Sequence, residues 1–241
     1  MKPPRVTAGD AIFLDLDGTL IDIAPTPDAA RPAPGLPALL EETSQRAGSA
    51  LAVVSGRPIR EIDRILAPLA LPAAGLHGLE RRTAGGAFRP PPALPRYCEL
   101  RAALARFANG HPGLLLEDKG AALAVHYRAR PDLGASVAAA VEDALGGARS
   151  GIAVQRGKAV VEVRPDCGDK GTAVMAFMSE PPFAGRRPVF AGDDITDEAA
   201  FRAVRQMGGV TVRVGSEGAT AAEWRLADVA AVHAWLAAME G

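Results

Sequence analysis

Asp15 and Asp17 close the apolar run of DAIFLDLDGTLID, residues 10–22, with a single residue between them. Ser55, Gly56 and Arg57 follow a second apolar run, LAVV, Lys170 stands in CGDKGT, and Asp193, Asp194 and Asp197 crowd into GDDITDE. Clustered carboxylates repel one another and raise one another's pKa unless a cation neutralises them. An oxygen-only donor set drawn from Asp15, Asp17, Asp193 and Asp194, without His or Cys beside it, suits Mg²⁺ better than zinc. Lys170 and Arg57 supply the positive charge that a phosphate needs, and Ser55 with the amides of Gly56 and of the DLDGT turn adds neutral donors. Acids, a lysine and a hydroxyl together describe a phosphoryl-transfer site.

Taken singly, each piece has an ordinary explanation, because Asp and Ser are common in turns and helix caps. Their order along the chain argues otherwise. Residues 11–16, 50–56, 188–193 and 210–214 are short apolar runs fit for strands buried on both faces. Helical spacing follows at 36–46, 58–69, 170–178, 196–206 and 230–239, with a further short strand near 73–78. Strands alternating with helices predict an α/β fold with a doubly wound parallel sheet, whose ligands bind outside the carboxyl ends of the strands. Asp15, Asp17, Ser55, Gly56, Arg57, Asp193 and Asp194 fall at those ends, Asp197 lies just beyond, and Lys170 opens the helix that re-enters the core.

The alternation is interrupted. Residues 81–97, RRTAGGAFRPPPALPRY, are rich in Gly and Pro and read as a connector. Beyond them a separate rhythm predicts helices at 97–109 and 131–145, strands at 113–118 and 121–127, and a hairpin at 152–156 and 159–164. The expected organisation is a core of residues 1–80 and 165–241 interrupted by a smaller α/β cap at 81–164, with hinges near 80–96 and 164–169.

Among 241 residues, 27 Lys and Arg stand against 28 Asp and Glu. That balance gives no footprint for nucleic acid or an anionic membrane surface. Residues 1–10 hold no signal-peptide core and no later stretch is apolar for the roughly 18 residues of a membrane span, so a soluble, cytoplasmic protein acting alone as a monomer is expected. Cys98 and Cys167 read as reduced structural thiols, and Trp224 and Trp235 as core. GIAVQRGKA at 151–159 imitates a phosphate-binding loop, but five residues separate its glycines and Ala159 stands where a magnesium-binding hydroxyl belongs. No dinucleotide fingerprint follows the first strand. His77 in GLHGLE stands either beside the site or in an ordinary loop.

DLDGTL, VVSGR, DKG and GDDITDE resemble the signature motifs of the haloacid dehalogenase superfamily of phosphohydrolases, over nearly the whole chain. Within it, VVSGRP, GLHGLE, LEDKGAALAVHYR, KAVVEVRP, DKGTAV and GDDITDE are similar to the trehalose-6-phosphate phosphatases. The resemblance implies Asp15 as the nucleophile and Asp17 as the acid and base. It implies Ser55 and Lys170 as phosphate-binding groups, and Asp15, the Asp17 carbonyl and Asp193 as magnesium ligands. Asp194 and Asp197 would support the metal shell or Lys170. In the cap, it implies that Glu117, Lys119 and Glu162, with Lys158 and Arg164, bond the sugar hydroxyls. The cap would confer selectivity and close to exclude water. Rival expectations are a phosphatase for sucrose 6-phosphate, a mannosylglycerate phosphate or a hexose phosphate, and, from another class, a phospho-accepting signalling module or a silent sugar-phosphate sensor.

Overall fold

A strand that is apolar at every position needs cover on both faces, and the chain supplies it with two sets of helices. The computed structural model describes residues 3–147, 149–215 and 218–240. It divides into two compact units, Met1–Pro90 with Gly168–Gly241, and Pro91–Cys167. In chain order, the first unit begins with β1 (Asp10–Leu14), α1 (Leu36–Arg46), β2 (Leu51–Val54), α2 (Ile59–Leu66), β3 (Ala73–Gly75), β4 (Glu80–Arg82) and β5 (Phe88–Arg89). The second unit holds α3 (Tyr97–Asn109), β6 (Leu115–Asp118), β7 (Leu123–His126), α4 (Gly134–Leu145), β8 (Ile152–Gly157) and β9 (Val160–Pro165). The first unit resumes with α5 (Lys170–Met178), β10 (Arg187–Gly192), α6 (Glu198–Gln206), β11 (Val210–Val214), β12 (Trp224–Leu226) and α7 (Val229–Ala237).

The eight strands of the first unit run in the order β12-β11-β10-β1-β2-β3-β4-β5. Pairing is parallel from β12 to β3 and antiparallel for β4 and β5. Successive strand residues point to opposite faces. Ile12, Leu14, Leu51, Val53, Val189 and Ala191 therefore enter one core with Leu36 and Leu40 of α1, Ile62 and Ile65 of α2, and Val232 and Leu236 of α7. Phe13, Ala52, Val54 and Phe190 enter the opposite core with Val174 and Phe177 of α5 and Phe201 and Val204 of α6. Phe13 stacks on Phe183 at 5.4 Å between ring centres and lies 5.9 Å from Phe177. This is the expected doubly wound sheet. Each large apolar side chain buried there contributes roughly 1.5–3 kcal/mol, enough collectively to offset the several kcal/mol per ion that the buried charges at its edge cost.

Three strands escape sequence reading. β5 lies inside the stretch read as a connector, β4 runs into it from Glu80, and β12 was not anticipated. All are short, β4 and β5 are arginine-rich, and none has enough positions to display a period. β4 is held by long-range pairs instead: Arg82 donates twice to Asp63, at 2.7 Å each, and Arg81 donates to Glu180. Because β4 and β5 extend the main sheet, the units part at 90/91, where the sequence suggested 80/81. The return lies at 167/168 rather than 164/165, since Asp166 donates its amide to the Gly151 carbonyl of the second unit.

The second unit is a four-stranded antiparallel sheet, β6-β7-β9-β8. Its Leu123, Val125, Val161 and Val163 pack on Leu100 and Leu104 of α3 and Val137, Val141 and Leu145 of α4. Alternation leaves the other face polar. Cys98 and Cys167 are free and exposed, so neither thiol packs in a core. Trp235 is buried, while Trp224 packs against the core only partly, on its edge strand. No helix among the described residues is long and apolar enough to cross a membrane.

Candidate active site

Parallel neighbours β1 and β10 place Leu14 opposite Ala191, so Asp15 leaves β1 beside Gly192, with Asp193 one residue further along. Asp15 donates its amide to the Ala191 carbonyl at 2.9 Å. The chain then curls: Leu20 and Ile21 both donate to the Leu16 carbonyl at 2.9 Å, and Gly18 donates to the Ile21 carbonyl at 2.7 Å. Gly18 has φ +79°, and a Cβ there would lie 2.4 Å from the Asp193 carboxyl carbon. Only glycine suits both the left-handed backbone and that approach.

Lys170 opens α5. Asp169 caps this helix by accepting from Thr172 N at 2.8 Å, while the Thr172 hydroxyl accepts from Asp169 N at 2.7 Å, so the lysine leaves a fixed first turn. Its Nζ lies 2.8 Å from Asp15 Oδ1 and donates to Asp197 Oδ1 at 2.7 Å. Asp197 Oδ2 accepts from Asp194 N at 2.8 Å. Carboxylate oxygens of Asp15, Asp193 and Asp197 all lie within 4.8 Å of one another, and all three residues are buried. Burial pushes Asp15 well above the usual carboxylate range, Asp197 and Asp193 push it further, and Lys170 pulls it back only in part. Burial alone would lower Lys170, yet the charges and hydrogen bonds of Asp15 and Asp197 hold it far above an ordinary lysine.

Ser55 and Arg57 follow β2. Arg57 donates its amide to Ser55 Oγ at 3.2 Å, and its guanidinium grips Asp17, Nε to Oδ2 at 2.7 Å and Nη2 to Oδ1 at 2.8 Å. Nη1 donates to the Pro27 carbonyl at 3.0 Å and to Glu61 Oε2 at 3.2 Å. The GLHGLE loop props this turn from below. His77 N donates to the Ser55 carbonyl at 2.9 Å, and the His77 ring sits so close that a Cβ on Gly56 would meet it at 2.5 Å. Leu76 and His77 hold φ of +51° and +57°, strain that side chains tolerate only where surroundings over-determine them. Glu80 accepts from Ile59 N at 2.5 Å, capping the start of α2.

In the second unit, register aligns Glu117, Ala124, Glu162 and Gln155 across the polar face of the sheet. Lys119 donates to Glu162 at 2.5 Å, His126 Nε2 lies 2.7 Å from Glu117 Oε2, and Arg164 donates to Gln155 at 3.1 Å. Burial would raise Glu117, but the His126 hydrogen bond and the Lys119 charge outweigh it and hold its carboxyl below the usual range. Lys158 is exposed in the β8–β9 turn.

Of the acids expected around a metal, the structure brings Asp15 and Asp193 together and completes the cluster with Asp197 rather than Asp194. The short helical turn Ile195–Asp197 carries Asp197 inward, and the Asp194 side chain stays partly exposed. The Asp17 carboxylate lies on Arg57. Glu117, Lys119, Glu162 and Arg164 share one face. Glu61 and His126 were missed by sequence reading. Glu61 could have been found from its i,i+4 spacing to Arg57, and His126 from its two-residue spacing to Ala124 on one strand face. The converging carboxylates, all-oxygen donors and the glycine that makes room for Asp193 fit a small hard divalent cation, which would relieve the repulsion among these acids.

A sequence profile of the family described as trehalose-phosphatase matches residues 13–230. The chain is 47% identical over 205 residues to a probable trehalose-phosphate phosphatase of Sinorhizobium fredii, covering 85% of this chain and 77% of that protein. It is 41% identical over 245 residues to the trehalose-6-phosphate phosphatase of Escherichia coli K12, covering 98% and 88%. Among solved structures, the C-terminal domain of Candida albicans trehalose-6-phosphate phosphatase superimposes with a TM-score of 0.83 at 24% identity, over 95% of this chain and 91% of that one, a likeness of fold.

Proposed function

Since the chain belongs to the trehalose-phosphatase family, we propose that it hydrolyses trehalose 6-phosphate to trehalose and phosphate with Mg²⁺, through an aspartyl-phosphate on Asp15. The observation that carries this reading is the buried bridge of Lys170 between Asp15 and Asp197, with Asp193 converging on the same point. Asp15 and Asp193 would hold the ion, with Asp197 fixing Lys170 and the Asp194 amide beside them. When bound, Mg²⁺ supplies positive charge against the phosphoryl oxygens.

The chain's own groups do the rest. Lys170 fixes Asp15 and adds charge where the phosphoryl group gathers electrons, which makes a weak carboxylate nucleophile effective. Asp15 forms a bond to phosphorus as the ester oxygen departs with a proton from Asp17. Water then attacks phosphorus, its proton returns to Asp17, and the Asp15 carboxylate is regenerated. Ser55 and the amides beside it donate to the phosphate. In the second unit, Glu117, Lys119 and Glu162 read sugar hydroxyls, aligned as they are across one polar face with small Ala124 between the two glutamates.

Phosphate release from a panel of sugar phosphates, with and without Mg²⁺, tests the reading. Trehalose 6-phosphate should be turned over at least about tenfold better than glucose 6-phosphate or sucrose 6-phosphate, and only with the ion. Equal turnover of all three would remove the substrate assignment and leave the phosphatase chemistry.

A further inference from the structure

Arg57 is expected from its motif to bind the substrate's phosphate, but its guanidinium is already occupied by this chain's own oxygens. Two of its nitrogens take both oxygens of Asp17, and the third takes the Pro27 carbonyl and Glu61. The side chain is only 10% exposed. A parallel two-bond grip fixes the plane of a carboxylate as well as its place, which a point charge cannot do. Asp17 is nevertheless 32% exposed, against 6% for Asp15, so it is held firmly while water still reaches it. Each carboxylate oxygen can accept in two directions, so the grip leaves acceptor capacity on both.

We propose that Arg57 is the positioning residue for Asp17, holding its carboxylate where it takes the proton of the water that hydrolyses the phosphoenzyme, rather than a clamp on the substrate's phosphate. In that step the water oxygen bonds to phosphorus, the bond from phosphorus to Asp15 breaks with its electron pair staying on Asp15, and the water proton passes to Asp17. Glu61 and the Pro27 carbonyl anchor the guanidinium from behind. The role rests on the two-step hydrolysis proposed above.

A cycle of Arg57→Gln, Asp17→Asn and the double variant, assayed on trehalose 6-phosphate with Mg²⁺, tests it. Arg57→Gln should lower kcat about 10–100-fold with KM within about 3-fold of wild type, and should cost less than about 2-fold in the Asp17→Asn background. A phosphate clamp would raise KM and cost as much in either background, which would overturn the role alone. An Asp17→Asn enzyme as active as wild type would remove the acid and base from Asp17 and overturn this role with it, while leaving the nucleophile on Asp15 to its own test. Arg57→Lys, which keeps the charge and loses the fork, serves where Arg57→Gln fails to fold. It should also lose at least about tenfold in kcat with its melting temperature kept, and full kcat in Arg57→Lys would refute the need for a fork.

Discussion

The acid cluster of the first unit and the polar face of the second solve different problems with the same residue types. In the first, Asp15, Asp193 and Asp197 stand just beyond strand ends, buried around one lysine, so negative charge exceeds positive. In the second, Lys119 and Arg164 answer Glu162 and Glu117 on one face, with His126 against Glu117, within a sheet whose other face is apolar. An unbalanced cluster draws in a cation and an electrophile; a balanced one presents donors and acceptors to neutral hydroxyls. The difference separates the group that reacts from the groups that choose the substrate.

Substitutions that remove the reacting group should have the largest effect. Asp15→Asn keeps size and hydrogen bonding but abolishes the nucleophile, so turnover should fall at least about 10³-fold on sugar and aryl phosphates alike. Phosphate release measures it, and a fully active variant removes the nucleophile from Asp15. Next is Lys170→Met, which leaves two buried carboxylates facing each other without their cation. Removing one partner of a buried pair costs about 3–5 kcal/mol, so denaturant midpoints should fall sharply along with activity. A stable Lys170→Met protein would mean that water reaches those acids.

The second region should break selectively. Glu117→Ala should lower kcat/KM for trehalose 6-phosphate about 10–100-fold and change that for an aryl phosphate less than about 3-fold, since only the sugar uses the lost acceptor. Equal losses on the two substrates would collapse the distinction between the regions.

The two regions also differed in how far sequence exposed them. Asp15 and Asp193 stand at the ends of apolar runs, so strand order alone located them. What spacing could not settle was which acid of GDDITDE turns inward, because that depends on one helical turn after Asp194. Nor could it pair Arg57 with Asp17, forty positions away. In the second region, the alternation of Leu123–His126 marks a face, but the partners on it depend on hairpin register. Nothing in the short strands β4, β5 and β12 carries a period, and only the sheet they extend reveals them.

The smallest expected effect tests whether the second region is charge-balanced as described. Glu117 is held below the usual carboxylate range because the His126 hydrogen bond and the Lys119 charge outweigh burial and the opposing charge of Glu162. A carboxylate whose folded pKa is depressed stabilises the fold above its unfolded value, and that stability is lost as pH falls through the folded pKa. Glu117→Gln cannot titrate. The variant should therefore melt a few degrees below wild type at neutral pH, and the gap should narrow as pH falls below about 4.5. A gap that is constant from neutral to acid pH would show that Glu117 contributes packing rather than charge, and that its hydrogen bond to His126 does not depend on ionisation.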